Sequence, residues 1–176
     1  MNIVIETHRL LLRPLVLSDA DAFFEMNNNP NVNLYLRNHI ITKTDAAEYV
    51  QKIIGEYQKN GIARFAVILK ENNKLIGFSG IKYRDTLENN HVDFYDLGYR
   101  FAEAHWRKGF ATEATLAWLD YGFNTMNLST IYATAISENI GSNAVLQKLG
   151  FEFTNQYLVN HTPYNWYQME NKNFKK

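Results

Sequence analysis

Apolar positions in this chain keep two different periods, and the changes between them mark its elements. The apolar run over residues 7–15, closed by Pro14, reads as a first strand. Ser18-Asp19-Ala20-Asp21 opens a helix with the pattern of a capping box, and Phe23, Phe24 and Met26 follow. Asparagines at 27–29 and 31, with Pro30, end it. Thr44-Asp45 caps a second helix, whose stripe of Ala46, Tyr49, Val50, Ile53, Ile54 and Tyr57 has spacings of three and four until Asn60-Gly61 stops it. The period then becomes two. Residues 64–69 and 75–83 read as strands joined by a hairpin loop, 85–90 as an exposed loop, and 92–101 as a long strand. In that last strand Val92 and Phe94 are apolar at even positions, but Leu97, Tyr99 and Phe101 at odd ones. Such a slip predicts either a β-bulge or a strand covered on both faces, and the bulge is the preferred reading.

Residues 109–124 return to a helical pattern with Phe110, Ala114, Leu116, Ala117, Leu119 and Phe123 facing inward. A strand at 130–136, a helix at 139–149 ended by Gly150, a strand at 151–153 and a hairpin of 157–159 with 164–169 complete the chain. The expected architecture is a single α/β domain over residues 1–176. Its mixed, mostly antiparallel sheet has about seven strands, flanked by about four helices, with at least one strand–helix–strand crossover.

Composition narrows the function mainly by exclusion. A chain of 176 residues with 46% hydrophobic and 20% charged residues suffices for one compact core. Its formal net charge is zero, so neither nucleic acid nor a membrane surface is an expected partner, and any charge-based function is local. With no cysteine there is no disulfide, thiolate nucleophile or cysteine metal site, which fits a reducing cytoplasm. The first residues lack the blocks of a signal peptide, and no apolar run approaches the roughly 20 residues that span a bilayer. His8, His39, His91, His105 and His161 show no metal-ligand spacing and read as surface or loop groups, His39 and His161 in segments that could border a cleft. No glycine-rich ATP loop is present. The aromatic final hairpin is a candidate contact for a homodimer.

The candidate chemistry lies at residues 96–114. A strand ending in aromatics leads through a basic turn, Arg107-Lys108-Gly109, into a helix start, Phe110-Ala111-Thr112. Unpaired N–H groups and the positive end of a helix dipole converge there, which makes an anion site. On local sequence alone a well-capped helix start with solvated charges fits equally well.

Four blocks in order carry a resemblance: Thr7-His8-Arg9-Leu10-Leu11-Leu12-Arg13-Pro14, Leu75-Ile76-Gly77-Phe78, Leu97-Gly98-Tyr99-Arg100 with Trp106 to Ala114, and Asn139 to Phe151. Through them the chain resembles the GNAT (Gcn5-related) N-acetyltransferase superfamily, most closely its ribosomal-protein N-terminal acetyltransferase branch. The resemblance implies acetyl-CoA as co-substrate and no metal. It also implies a pyrophosphate turn over Arg107, Lys108, Gly109, Phe110, Ala111 and Thr112, with Trp106 where the family pattern has Gln or Arg. Tyr99, Arg100 and Phe101 would pair their backbone with the pantetheine arm, and Asn139 would reach it from the next helix. Asp96, where relatives often carry a carboxylate, is the implied base, with Glu138 as runner-up. Ser142 is the candidate acid, because Leu146 stands where many relatives place a tyrosine.

Acetyl transfer to an amine needs a neutral nitrogen, an oxyanion donor and a proton for the leaving thiolate. Freeing an α-amine at pH 7 costs about 1–1.4 kcal/mol, whereas a lysine costs about 4.6. A carboxylate acting through water suffices for the first. The acceptor that the resemblance implies is a protein N-terminal α-amine, with a polyamine, amino acid or antibiotic as the alternative within the same chemistry. From another class, a non-catalytic acyl-CoA-binding domain is the competing reading. Residues 27–43 and 160–165 are the expected rims of the acceptor cleft.

Overall fold

The strand-forming segments assemble one mixed sheet in the computed structural model, which describes residues 3–36 and 39–174. In chain order the strands are β1 (Ile5–Glu6), β2 (Leu10–Arg13), β3 (Phe65–Leu69), β4 (Lys74–Arg84), β5 (Phe94–Phe101), β6 (Thr130–Ile136), β7 (Glu152–Val159) and β8 (Thr162–Glu170). They lie side by side as β1-β2-β3-β4-β5-β6-β8-β7. Among these neighbours only β5 and β6 run parallel. The helices of the described residues are α1 (Ala20–Asn27), α2 (Pro30–Asn33), α3 (Lys43–Asn60), α4 (Phe110–Asp120) and α5 (Ile140–Lys148). The parallel pair needs a crossover, and α4 supplies it. Among the described residues no helix is long and apolar enough to cross a membrane.

Eight strands form where about seven are expected, because Ile5–Glu6, just ahead of the first apolar run, pairs back onto it. Thr7 Oγ1 accepts from the Leu10 N–H at 3.0 Å, closing a turn that pairs Glu6 with Leu11. The asparagine-rich segment after α1 likewise becomes helical for one turn. Asn29 Oδ1 accepts from the N–H groups of Asn31 and Val32, and Pro30 occupies the first helical position. α3 starts earlier than residues 44–45 predict. Its cap is Thr42, whose hydroxyl accepts from Asp45 N–H at 3.0 Å while the Asp45 carboxylate accepts from Thr42 N–H at 2.9 Å. Gly61 ends α3 at φ 70°, in the left-handed region open to glycine.

The expected bulge in β5 is absent on its β4 side, where the register is unbroken from Arg84↔Phe94 to Gly77↔Phe101. The parity slip has the other cause. Phe94 and Asp96 are buried on one face of the strand and Leu97 and Phe101 on the opposite one, so both faces are covered. Register shifts occur instead between β3 and β4 and between β7 and β8. The segments 151–153 and 157–159, expected as separate strands, are one strand, turned into β8 by Asn160 and His161 at φ 48° and 67°.

α4 buries Phe110, Ala114, Thr115, Trp118 and Leu119 against the sheet. Leu116, expected inward, is exposed, since six residues at 100° each carry it away from the Phe110 face. A wider turn over Tyr121–Thr125 follows and buries Phe123. Trp118 packs edge-on against Phe65 with ring centroids 4.9 Å apart, joining α4 to the centre of the sheet.

Candidate active site

The parallel seam is where the sheet opens. β5 and β6 share only the pairs Asp96↔Tyr132 and Leu97↔Ala133, and beyond them the strands part. Ala102 N–H donates to Ile76 O, which places even-numbered β5 residues in hydrogen-bonding register with β4. By the alternation of the antiparallel ladder, Tyr99 and Phe101 therefore aim their backbone groups toward the gap. The Phe101 carbonyl is taken by the Trp106 indole N–H at 2.7 Å. Backbone groups of β5 are thus left outside the ladder by strands that diverge rather than by a bulge.

The turn after β5 supplies a second set of donors. Arg107 and Gly109 both hold positive φ, 57° and 81°, and curl the chain tightly into α4. The first intrahelical bond runs from Glu113 N–H to Gly109 O, so the N–H groups of Phe110, Ala111 and Thr112 precede it, and no side chain caps them. The turn is braced from behind by the N-terminal segment. Arg9 stacks over the Phe110 ring at 4.3 Å, donates to Lys108 O at 3.0 Å and to Glu113 at 2.7 Å, while Thr7 and the Arg9 backbone also donate to Glu113. Burial raises the Glu113 carboxyl, but these donors outweigh it and hold it below the usual range. This explains physically why the block at residues 7–14 accompanies the turn.

The opposite wall is the start of α5. Asn139 caps it by accepting from Ser142 N–H at 3.0 Å. The Tyr99 hydroxyl lies 3.2 Å from both the Ser142 carbonyl and Ser142 Oγ, and burial pushes the phenol up to about 12. Asn143 pins the helix to the sheet. Its amide donates to the Ile136 and Asn139 carbonyls, and its oxygen accepts from Asn165 and Tyr167.

These walls enclose a cavity of about 590 Å³. Of the residues singled out in the sequence, Tyr99, Arg100, Phe101, Arg107, Gly109, Phe110, Ala111, Thr112, Asn139, Ser142 and Glu138 line it; Lys108 does not, and faces Arg9 through its carbonyl. Leu146 is buried in the core rather than lining the cavity. From the expected rims, Asn31, Val32, Tyr35 and Leu36 contribute, whereas nothing from 160–165 does; Arg37 and Asn38 of the first rim lie outside the described residues. Two further lining residues had no binding role assigned from the sequence: Trp106 is held by the hydrogen bond just described, and His105 has a buried Nδ1 with no partner among the described residues.

Asp96 stands apart from this group. It does not line the cavity, is 4% exposed, and accepts from Arg64 at 2.8 Å and from two nitrogens of Arg84 at 2.8 and 3.0 Å. Burial raises its carboxyl, but the two guanidinium groups outweigh that and hold it below the usual range. Gly98 lets Arg64 pass: a Cβ there would lie 2.6 Å from the Arg64 guanidinium. A carboxylate so occupied is a clasp that ties β5 to β4 and to the segment leading into β3. No group of three or more His, Asp or Glu suited to a metal is found among the described residues.

Comparison with known proteins agrees with the fold. The model of the acetyltransferase (GNAT) domain matches residues 9–152. Over 147 residues the chain is 35% identical to an uncharacterized N-acetyltransferase, p20, of Bacillus licheniformis, covering 83% of this chain and 80% of the relative. A solved GNAT-family acetyltransferase from Bacillus anthracis is 28% identical with a TM-score of 0.82, over 97% of this chain and 99% of that one. The ribosomal-protein-S5-alanine acetyltransferase of Vibrio fischeri shares the fold at a TM-score of 0.78 and 22% identity, over 99% and 100% of the two chains. Matched by the domain model across most of its length, the chain belongs to the GNAT family of acetyltransferases.

Proposed function

We propose that the protein moves the acetyl group of acetyl-CoA to an α-amine, with a protein N-terminus as the first acceptor class. One observation carries this reading: an unladdered strand edge and an uncapped helix start open onto the same cavity. The edge offers peptide-like hydrogen bonds to the amides of a pantetheine arm, and the helix start offers amides and a dipole to a pyrophosphate. Arg107, Gly109, Phe110, Ala111 and Thr112 would hold the phosphates, and Tyr99, Phe101 and Asn139 the arm.

In the transfer, the amine nitrogen attacks the thioester carbonyl, the C–N bond forms, and the C–S bond breaks. A β5 amide freed by the divergence is the proposed oxyanion donor. Glu138 is the one carboxylate among the described lining residues, and it is exposed. A solvated carboxylate suits an α-amine, whose deprotonation at pH 7 costs only about 1–1.4 kcal/mol. The proton for the leaving thiolate is assigned to the Ser142 and Tyr99 hydroxyls, since a phenol near 12 stays protonated through the neutral range.

Calorimetric titration with acetyl-CoA tests the cofactor, and CoA release against N-terminal peptides, amino acids, polyamines and aminoglycosides tests the acceptor. Stoichiometric binding with turnover on α-amines is expected. Binding without turnover on any amine would make the chain an acyl-CoA binder, and no binding would overturn the reading. Ser142→Ala and Tyr99→Phe should each lower kcat by about tenfold, modest because a thiolate leaves readily. The double variant should lose little more than either, since the hydroxyls act as one unit. Losses that multiply would separate them.

A further inference from the structure

The β5 face bearing Asp96 has more cations than anions. Arg64 and Arg84 share the Asp96 carboxylate, and Glu103, beyond the end of the strand, is held by the side-chain amides of Asn29 and Asn31 at 2.7 Å. Arg100 is left over. Its guanidinium donates to Asn27 Oδ1 and sits 5.0 Å from the Phe78 ring centroid and 6.0 Å from that of Tyr49. No carboxylate among the described residues pairs with it, although Arg100 is partly buried and lines the cavity. A buried charge is costly unless paired. Two ring faces, the Asn27 amide oxygen and the Tyr49 hydroxyl make a seat for a guanidinium, but they leave some of its five donors unused. The pyrophosphate already has its own cations and amides in the turn that begins at Arg107.

We infer that Arg100 reads a carboxylate on the acceptor, so that the preferred substrates are α-amines carrying a carboxylate close to the amine. Two sources share that chemistry: a free α-amino acid, and a peptide whose first residue is Asp or Glu. The planar fork of the guanidinium matches a carboxylate in two parallel bonds, which a neutral or cationic acceptor cannot form. The rim residues in the lining, Asn31, Val32, Tyr35 and Leu36, offer no competing charge. The inference rests on the acetyl transfer proposed above and specifies its acceptor.

The test is a set of matched acceptors assayed by CoA release at saturating acetyl-CoA. Peptides beginning with Asp or Glu are compared with the same peptides beginning with Asn or Gln, and free amino acids with their amides and decarboxylated amines. A carboxylate preference of about tenfold or more in kcat/KM is expected for one of the two sets, as for a charge-assisted hydrogen bond. The set showing it identifies the source. In Arg100→Met the preference should fall toward unity through KM, and Arg100→Lys should restore part of it. Turnover on amines with no carboxylate preference in wild type would overturn the inference while leaving acetyl transfer intact. A preference that survives in Arg100→Met would overturn it equally. If Arg100→Met does not fold, competition of acetate and N-acetylated amino acids against the acceptor in wild type decides: inhibition by the anions supports the site, and its absence rejects it. Failure to bind acetyl-CoA or to acetylate any amine would count against the function itself.

Discussion

Asp96→Ala is expected to lower the unfolding free energy by about 3–5 kcal/mol, read by urea denaturation, because it strands a buried Arg64 without its counter-charge. That is a large share of the 5–15 kcal/mol typical of a domain. Where the variant is folded, kcat should fall by less than tenfold and the pH–rate profile should keep its shape. A loss of 10²–10⁴ in kcat with stability unchanged would instead make this carboxylate the base. The pH dependence gives a second check. The folded-state carboxyl lies below its unfolded value, near 3.9, so its stabilisation is present above about pH 4 and is lost as pH falls through the folded value. Wild type should therefore lose more stability on acidification than Asp96→Ala does.

Much of the framework was legible in the sequence, and the misses share a cause. The helix at 139–149, the strand at 130–136 and the stop at Gly61 are set by local chemistry, and they lie where periodicity and caps put them. The surroundings of Asp96 were not readable, because Arg64 and Arg84 reach it from 32 and 12 residues away. A strand position that matches a carboxylate in relatives says nothing about which cations surround it. The same holds for Arg9, whose contacts with Lys108 and Glu113 lie about a hundred residues along the chain. The parity slip in β5 was a real signal with two explanations. Choosing between them required knowing that helices and aromatic side chains cover both faces.

The second large effect is expected at Gly109. Gly109→Val should weaken acetyl-CoA binding by more than about tenfold in calorimetry, with little change in melting temperature. The position holds φ 81° as the N-cap of α4, and a β-branched residue is strained there by more than about 1–2 kcal/mol. Relief requires the turn to change shape, which would scatter the amides of Phe110, Ala111 and Thr112. The core lies elsewhere, against Trp118 and Phe65, so the fold should tolerate the change. Tight binding by the valine variant would show that the turn does not hold the phosphates.

The short seam of β5 and β6 has a consequence for metabolism. An open strand edge recognises an amide-bearing arm, and that arm is identical in acetyl-CoA and in the free CoA left after transfer. If the seam holds the arm as proposed, the spent carrier would compete with the charged one on nearly equal terms. An enzyme built on this seam would set its pace by the ratio of the two, and would slow whenever acetyl groups run short even while the total coenzyme pool stays full.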